Sequence, residues 1–165
     1  MSYSSFELLD QSRPILVFGR DGQVGRALQV CLKDLKVPTV FLGRADCDLT
    51  SESSIVEVLN RYQPQVIINA AAYTAVDKAE TEQDMAMLVN GEAVGNLAAV
   101  CKKYQTKFIH ISTDYVFDGE SETPYKEEDA TGPINTYGES KLLGEQLCMK
   151  EDADAIIIRT SWVYS

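Results

Sequence analysis

The sequence predicts an α/β fold, a doubly wound parallel sheet with helices on both faces. Three observations carry this reading. The apolar run Ile15 to Phe18 ends in three glycines spaced G-x-x-G-x-x-G (Gly19, Gly22, Gly25), and a helical pattern of Val24, Leu28, Leu32 and Leu35 follows at once. Short apolar runs then alternate with helical patterns along the chain, as βαβ units do. One of these runs, Val66 to Ile68, is continuously apolar, as a strand covered on both faces has to be.

The elements follow in order. Met1 to Ser12 is polar and aperiodic and reads as a flexible leader, so the folded domain is expected over 14–165. After the first strand and helix, Pro38 to Leu42 is short and β-branched, a second strand. Thr50 or Ser51 caps a helix reaching about Tyr62, and Gln65 to Asn69 is the third strand. Val76 to Glu80 is a short helix or turn, and one long helix is expected from about Asp84 to Tyr104. Lys107 to Ser112 is the fourth strand. An irregular stretch from Thr113 to about Asn135 carries Gly119, Pro124, Gly132 and Pro133, and a loop of that length in a compact domain is usually functional. A helix over about Tyr137 to Lys150 and a strand over Ala155 to Arg159 complete the pattern. No helix follows that strand, so the chain is expected to be truncated, with a C-terminal substrate lobe absent.

Composition narrows the function. At 165 residues the chain can bury a real core, and 45% hydrophobic with 24% charged residues is ordinary for a globular protein. A net charge of -10 argues against a nucleic-acid surface, which needs a basic face. No apolar run has membrane length and no signal peptide is present, so a cytoplasmic protein is expected. Cys31, Cys47, Cys101 and Cys148 form no C-x-x-C and lie far from metal-ligand spacing with His110, which predicts buried reduced thiols and no metal site.

An apolar strand, a glycine turn and a helix start open a dinucleotide-binding unit of the Rossmann type. Gly19 lets the chain turn off the strand, Gly22 leaves room for a pyrophosphate, and Gly25 lets the helix pack closely. Tyr137 and Lys141 stand at i and i+4, hence on one helix face. An ammonium beside a phenol lowers its pKa and makes it a general acid for a carbonyl oxygen. The segments Gly19 to Gly25, Ala70 to Thr74 and Ser112 to Asp114 all lie at carboxyl ends of strands, where ligands of open α/β sheets gather. Arg44, roughly 20 positions after the glycines, suits a 2′-phosphate, with Asp46 and Asp48 close enough to weaken the preference for NADPH over NADH.

The glycine triplet with Y-x-x-x-K resembles the extended short-chain dehydrogenase/reductases. More narrowly, Asn69 to Glu80 (NAAAYTAVDKAE), Ser112 to Gly119 (STDYVFDG) and Arg159 to Tyr164 (RTSWVY) resemble the dTDP-4-dehydrorhamnose reductase family, over about Pro14 to the end. The resemblance implies NADPH-dependent reduction of the C4 ketone of dTDP-4-dehydro-6-deoxy-L-mannose to dTDP-L-rhamnose, with NADH as the alternative donor. In that pattern Gly19, Gly22, Gln23, Val24 and Gly25 hold the pyrophosphate. Asp48 and Leu49 contact adenine, and Ala71, Ala72 and Thr74 line the cofactor channel. Tyr137 is the proton donor, Lys141 depresses its pKa and holds the nicotinamide ribose, and Thr113 and Asp114 meet the sugar. The resemblance leaves a metal requirement open, magnesium included, and allows a homodimer. A nucleotide-sugar epimerase or dehydratase is the alternative within the superfamily. A non-catalytic regulator like the regulatory subunit of methionine adenosyltransferase is the alternative outside catalysis. Without the substrate lobe the chain is expected to bind cofactor weakly and to turn over little.

Other residues carry plainer expectations. His110 reads as a core histidine, and Asp77, Lys78, Glu80 and Glu82 as a solvated helix face. Glu127, Glu128 and Asp129 form an acidic loop run, and Trp162 is a packing residue.

Overall fold

The computed structural model of the chain describes residues 9–161 and 163. Five strands form one parallel sheet in the order β2-β1-β3-β4-β5: β1 Ile15–Phe18, β2 Thr39–Leu42, β3 Val66–Asn69, β4 Lys107–Thr113 and β5 Ile156–Thr160. The order reverses between β1 and β3, so the carboxyl ends of these two strands flank a crevice. All four residues of β1 are buried, and they divide between the two faces with the period of two that a strand imposes. Leu16 and Phe18 join a large core with Ile55, Leu59, Leu97 and Phe108, while Ile15 and Val17 pack with Leu28 and Leu32 on the other side. The larger core is covered by helices α2 Glu52–Tyr62 and α5 Ala93–Lys103, the smaller by α1 Gln23–Leu32. At the β5 edge Ile156 and Ile158 remain exposed.

Local chemistry explains the helix starts. Ser51 is the N-cap of α2 and accepts from the Ser54 N–H. Asn135 caps the helix over Thr136–Glu151, which accounts for its abrupt start after the long loop, its side chain accepting from the Gly138 N–H at 2.7 Å. The long helix expected from Asp84 to Tyr104 is instead three pieces: a short turn, Gln83–Ala86, a π-helical segment, Met87–Glu92, and α5. Together with Val76–Ala79 (α3), the Gln83–Ala86 turn is numbered α4, and Thr136–Glu151 is α6. The π wind centres on Asn90, whose side chain leaves the helix face to serve the neighbouring strand end.

Of the expected leader, residues 1–8 lie outside the described residues. Asp10 donates its N–H to Gln65 Oε1 at 2.9 Å, and the Arg13 guanidinium donates to the carbonyls of Gln63 and Pro64. Cys47, Cys101 and Cys148 are buried free thiols, but Cys31 is exposed, because it falls on the outer face of α1. Trp162 lies outside the described residues. No helix among the described residues is long and apolar enough to cross a membrane.

Candidate functional site

A cleft of about 1120 Å³ opens along the carboxyl ends of β1, β3 and β4. The glycine turn forms its floor. Gly19 sits at φ +90, and a Cβ there would run into the Ala70 carbonyl, so only glycine fits. The Gly19 and Arg20 N–H groups both donate to the Leu42 carbonyl, which pins the turn against β2. Gly22 is the N-cap of α1, with no side-chain cap and no acidic residue in the first turn. The helix therefore presents unsatisfied N–H donors and the positive end of its dipole there. Gly25 does not line the cleft: it lies beneath it, where a Cβ would overlap the Gly19 carbonyl oxygen. Its close approach is thus to the turn itself.

The remaining expected site residues, Gln23, Val24, Arg44, Asp48, Leu49, Ala71, Ala72, Thr74, Thr113, Asp114, Tyr137 and Lys141, all border this one cleft. At the β2 end of the cleft Asp46 is already engaged, accepting from Arg20 Nη1 and from the Gly43 N–H, both at 2.8 Å. Asp48 is folded back on Thr50, accepting from its N–H at 3.0 Å and its hydroxyl at 2.7 Å. These contacts leave Arg44 exposed and outside every salt bridge among the described residues.

At the other end, Tyr137 occupies the first turn of α6, edge-on to Tyr115 with ring centroids 5.5 Å apart. Burial raises its pKa, and the neighbouring Thr113 hydroxyl works against that rise. Lys141 does not act on it in this conformation. Lys141 Nζ lies back against β4, donating to the Ile111 carbonyl at 2.8 Å and standing 3.1 Å from His110 Nε2. Burial lowers the Lys141 pKa to about 8, with Glu145 opposing. Ser112 and Thr113 point to different places: Thr113 donates to Asp114 Oδ1 at 3.1 Å, while Ser112 donates to buried Glu145.

Several residues that hold the site carry little sequence signal. Asn90 accepts from the Tyr73 N–H at 2.8 Å and donates to the Tyr73 carbonyl at 2.9 Å and to Ser140 Oγ at 3.0 Å. Ser140 in turn donates to the Tyr137 carbonyl, so one amide ties the end of β3 to the turn that carries Tyr137. Glu80 and Glu82 are not merely solvated. Glu80 accepts the Thr136 N–H at 2.8 Å, and Glu82 accepts the Tyr73 hydroxyl at 2.7 Å and pairs with Lys78. Among the described residues, no group of three His, Cys, Asp or Glu side chains could hold a metal ion.

Parallel sheet, switch-point cleft and glycine turn together define a Rossmann-like α/β domain. Comparison with known proteins narrows the class. The chain belongs to the family whose model is described as the RmlD substrate binding domain, which matches residues 13–165. It is 47% identical over 151 residues to a dTDP-4-dehydrorhamnose reductase of Burkholderia thailandensis, covering 92% of this chain and 50% of that protein. The crystal structure of a dTDP-4-dehydrorhamnose reductase from Clostridium acetobutylicum superposes with a TM-score of 0.89 at 39% identity, over 92% of this chain and 54% of that one. The Bacillus anthracis reductase, solved in complex with NADP, also gives 0.89, at 35% identity, over 94% of this chain and 56% of its own. The chain spans about half the length of the curated relatives it matches.

Proposed function

We propose that this domain binds NADPH and belongs to a reductase that converts dTDP-4-dehydro-6-deoxy-L-mannose to dTDP-L-rhamnose. The observation that carries the reading is that Thr113, Tyr137 and Lys141 border the same cleft as the glycine turn and the N-terminus of α1. A dinucleotide suits that cleft: free helix N–H groups meet the pyrophosphate, and Gly22 has no side chain to block it. Arg44 offers a charge to a 2′-phosphate, with Asp46 and Asp48 already occupied. Asp48 and Leu49 border the adenine end, and Ala71, Ala72 and Thr74 the channel between.

The bound cofactor supplies a hydride to C4 of the sugar. Tyr137 gives its phenolic proton to the C4 oxygen as that oxygen gains charge, and the Thr113 hydroxyl, bordering the same cleft, hydrogen-bonds the substrate oxygen. Asp114 stands beside them at the sugar, held by the Ser161 hydroxyl at 2.7 Å. Lys141 delivers its positive charge to the ribose and the phenolate. A ketone takes one hydride and one proton, so a hydroxyl forms and oxidised cofactor leaves. The nucleotide-sugar ligand carries with it a cytoplasmic location, and the acidic balance leaves no nucleic-acid role. A homodimer is the assembly this reading admits.

Titration of the protein with NADPH, read by nicotinamide fluorescence, tests the first half. Saturable binding displaced by oxidised NADP is expected, and its absence at millimolar cofactor would overturn the reading. Mixing stoichiometric protein and NADPH with the 4-keto sugar nucleotide tests the second half. A slow single turnover that oxidises the cofactor and forms dTDP-L-rhamnose is expected, whereas a mixture of both C4 alcohols, as given by an enzyme that returns hydride to either face of the ketone, would point to an epimerase.

A further inference from the structure

Asn69 on β3 and His110 on β4 are partners in the sheet register, and both are buried in otherwise apolar strands. With Lys141 they form an unbroken line of polar groups. The Ala71 N–H donates to Asn69 Oδ1 at 3.1 Å, Asn69 Nδ2 lies 3.2 Å from His110 Nδ1, and His110 Nε2 lies 3.1 Å from Lys141 Nζ. The line ends where Lys141 donates to the Ile111 carbonyl at 2.8 Å.

The first contact fixes the direction of all the others. A backbone N–H only donates, so the Asn69 oxygen must face Ala71 and its NH₂ must face His110. An amide NH₂ only donates, so His110 Nδ1 must accept and carries no proton. A buried neutral imidazole then has its proton on Nε2, and that N–H points at Lys141. An ammonium has no lone pair, so the uncharged amine alone can accept there. Turning the imidazole to its other tautomer sets N–H against the Asn69 NH₂, and flipping the amide sets NH₂ against the Ala71 N–H. Each arrangement with a charged Lys141 at this place leaves two donors face to face in the interior, where such a mismatch is costly.

We propose that Asn69 and His110 are positioning residues for Lys141, the Nε2–H tautomer imposed by Asn69 holding the uncharged amine against β4 and turning the protonated ammonium out into the cleft towards Tyr137. This rests on the reading of Lys141 as the group beside the nicotinamide ribose. The proton comes from water and stays on Nζ, and no other bond changes. One charged group acts on the pair from its surroundings, Glu145, one turn along α6, which acts on Lys141; within the pair Lys141 acts on His110. Burial holds His110 well below its ordinary value, which keeps it neutral, and brings Lys141 to about 8, so both lysine states are populated near neutral pH.

His110 is the single histidine of the chain, so its imidazole nitrogens can be read without ambiguity by long-range proton–nitrogen NMR correlation. Lys141 can be followed in the same samples through ¹³Cε-labelled lysine, assigned by Lys141→Met. The expected result in the wild type is an Nε2–H tautomer from pH 6 to 9. In Asn69→Asp, whose second oxygen accepts from Nδ1–H, the tautomer should flip and the Lys141 midpoint should rise by at least one pH unit. In His110→Gln, whose carbonyl accepts from an ammonium, the midpoint should rise by a similar tenfold gain in proton affinity. An imidazolium or an Nδ1–H tautomer in the wild type would overturn the proposal. So would a raised Lys141 midpoint in Asn69→Asp with the Nε2–H tautomer retained, which would be plain charge attraction, or an unmoved midpoint in His110→Gln. None of these readouts requires cofactor, so failure here is separable from failure of the NADPH titration.

Discussion

Glu145 of α6 grips Arg159 of β5 with both oxygens, Oε2 at 2.7 Å from Nη2 and Oε1 at 3.1 Å from Nε. Glu145 is buried and also accepts from Ser112, while Arg159 reaches the Glu127 carbonyl and lies over the Phe117 ring, itself stacked on Tyr125. One carboxylate therefore joins the helix that bears Tyr137, the edge strand and the long loop. Removing it leaves a partly buried guanidinium and a buried hydroxyl without their partner. Glu145→Ala should cost about 3 kcal/mol, at the low end for a broken buried pair because Arg159 is partly solvated. Urea denaturation measures this, and a loss below about 1 kcal/mol would show that the loop and edge strand are held by other contacts.

Gly144 lets α6 touch the π-helical segment. A Cβ there would overlap the Asn90 carbonyl oxygen, which is backbone and cannot swing away. Gly144→Ala should destabilise by about 2 kcal/mol or more, although alanine is by about 1 kcal/mol the better helix former. Gly132→Ala is the matched control, since its Cβ would meet only Asp118 Cβ at 3.7 Å, and should change stability by less than about 0.5 kcal/mol. Parallel thermal melts decide between them.

What the sequence made legible, and what it hid, divides along physical lines. Strands such as Ile15–Phe18 and caps such as Ser51 announce themselves through short-range patterns, and the glycine spacing marks the cleft because backbone approach admits no other residue. The π segment does not announce itself, because Asn90 does its work through Tyr73 and Ser140, 17 and 50 positions away. The same holds for Glu145 with Arg159 and for His110 with Lys141, whose partners are brought together only by the parallel sheet. One signal was present: Asn69 and His110 each interrupt an apolar strand, and a polar residue there has to find a buried partner. Helical spacing puts Tyr137 and Lys141 on one face but does not say which way the longer side chain bends.

Tyr137→Phe isolates the phenolic proton. Phenylalanine keeps the edge-on contact with Tyr115 and fills the same space, so the fold and the NADPH titration should be unchanged. Reduction of the 4-keto sugar should fall by about a hundredfold or more, the usual contribution of a general acid. Thr113→Val, which removes the hydroxyl that opposes the burial-raised pKa of Tyr137, should shift the alkaline limb of the pH–rate profile upward. Rates of Tyr137→Phe within a factor of about 3 of wild type would remove the phenol from the chemistry.

The buried amine of Lys141 should leave a mark on stability. Its pKa falls from 10.5 to about 8 on folding because burial disfavours the ammonium. Between those values the unfolded chain holds a proton that the folded chain has released, so stability attributable to this group rises with pH across the window. Lys141→Met removes the titration, while Cys101 and Cys148, whose buried thiols push the other way above pH 9, contribute equally to both proteins. The wild type should therefore gain about 2 kcal/mol relative to Lys141→Met between pH 7.5 and pH 9.5. Parallel slopes in urea denaturation at the two pH values would mean that Lys141 keeps its ordinary proton affinity in the fold.

Cofactor choice should depend on which of two arginines is free. Arg20 is held between Asp21 at 3.3 Å and Asp46 at 2.8 Å, and its guanidinium is spent on neutralising them. Arg44, exposed on the same rim, carries the charge available to a 2′-phosphate. Arg44→Ala should weaken NADPH binding by about tenfold and NADH binding by less than about twofold, the difference of one exposed charge-assisted contact. Arg20→Ala should also weaken NADPH more than NADH, by a different route: it unmasks Asp46, whose carboxylate then repels the phosphate from the rim. Doubling the salt should shrink both effects, because these charges are solvent-exposed and screened. Equal losses for the two cofactors in Arg44→Ala, measured by fluorescence titration, would assign the phosphate to another group.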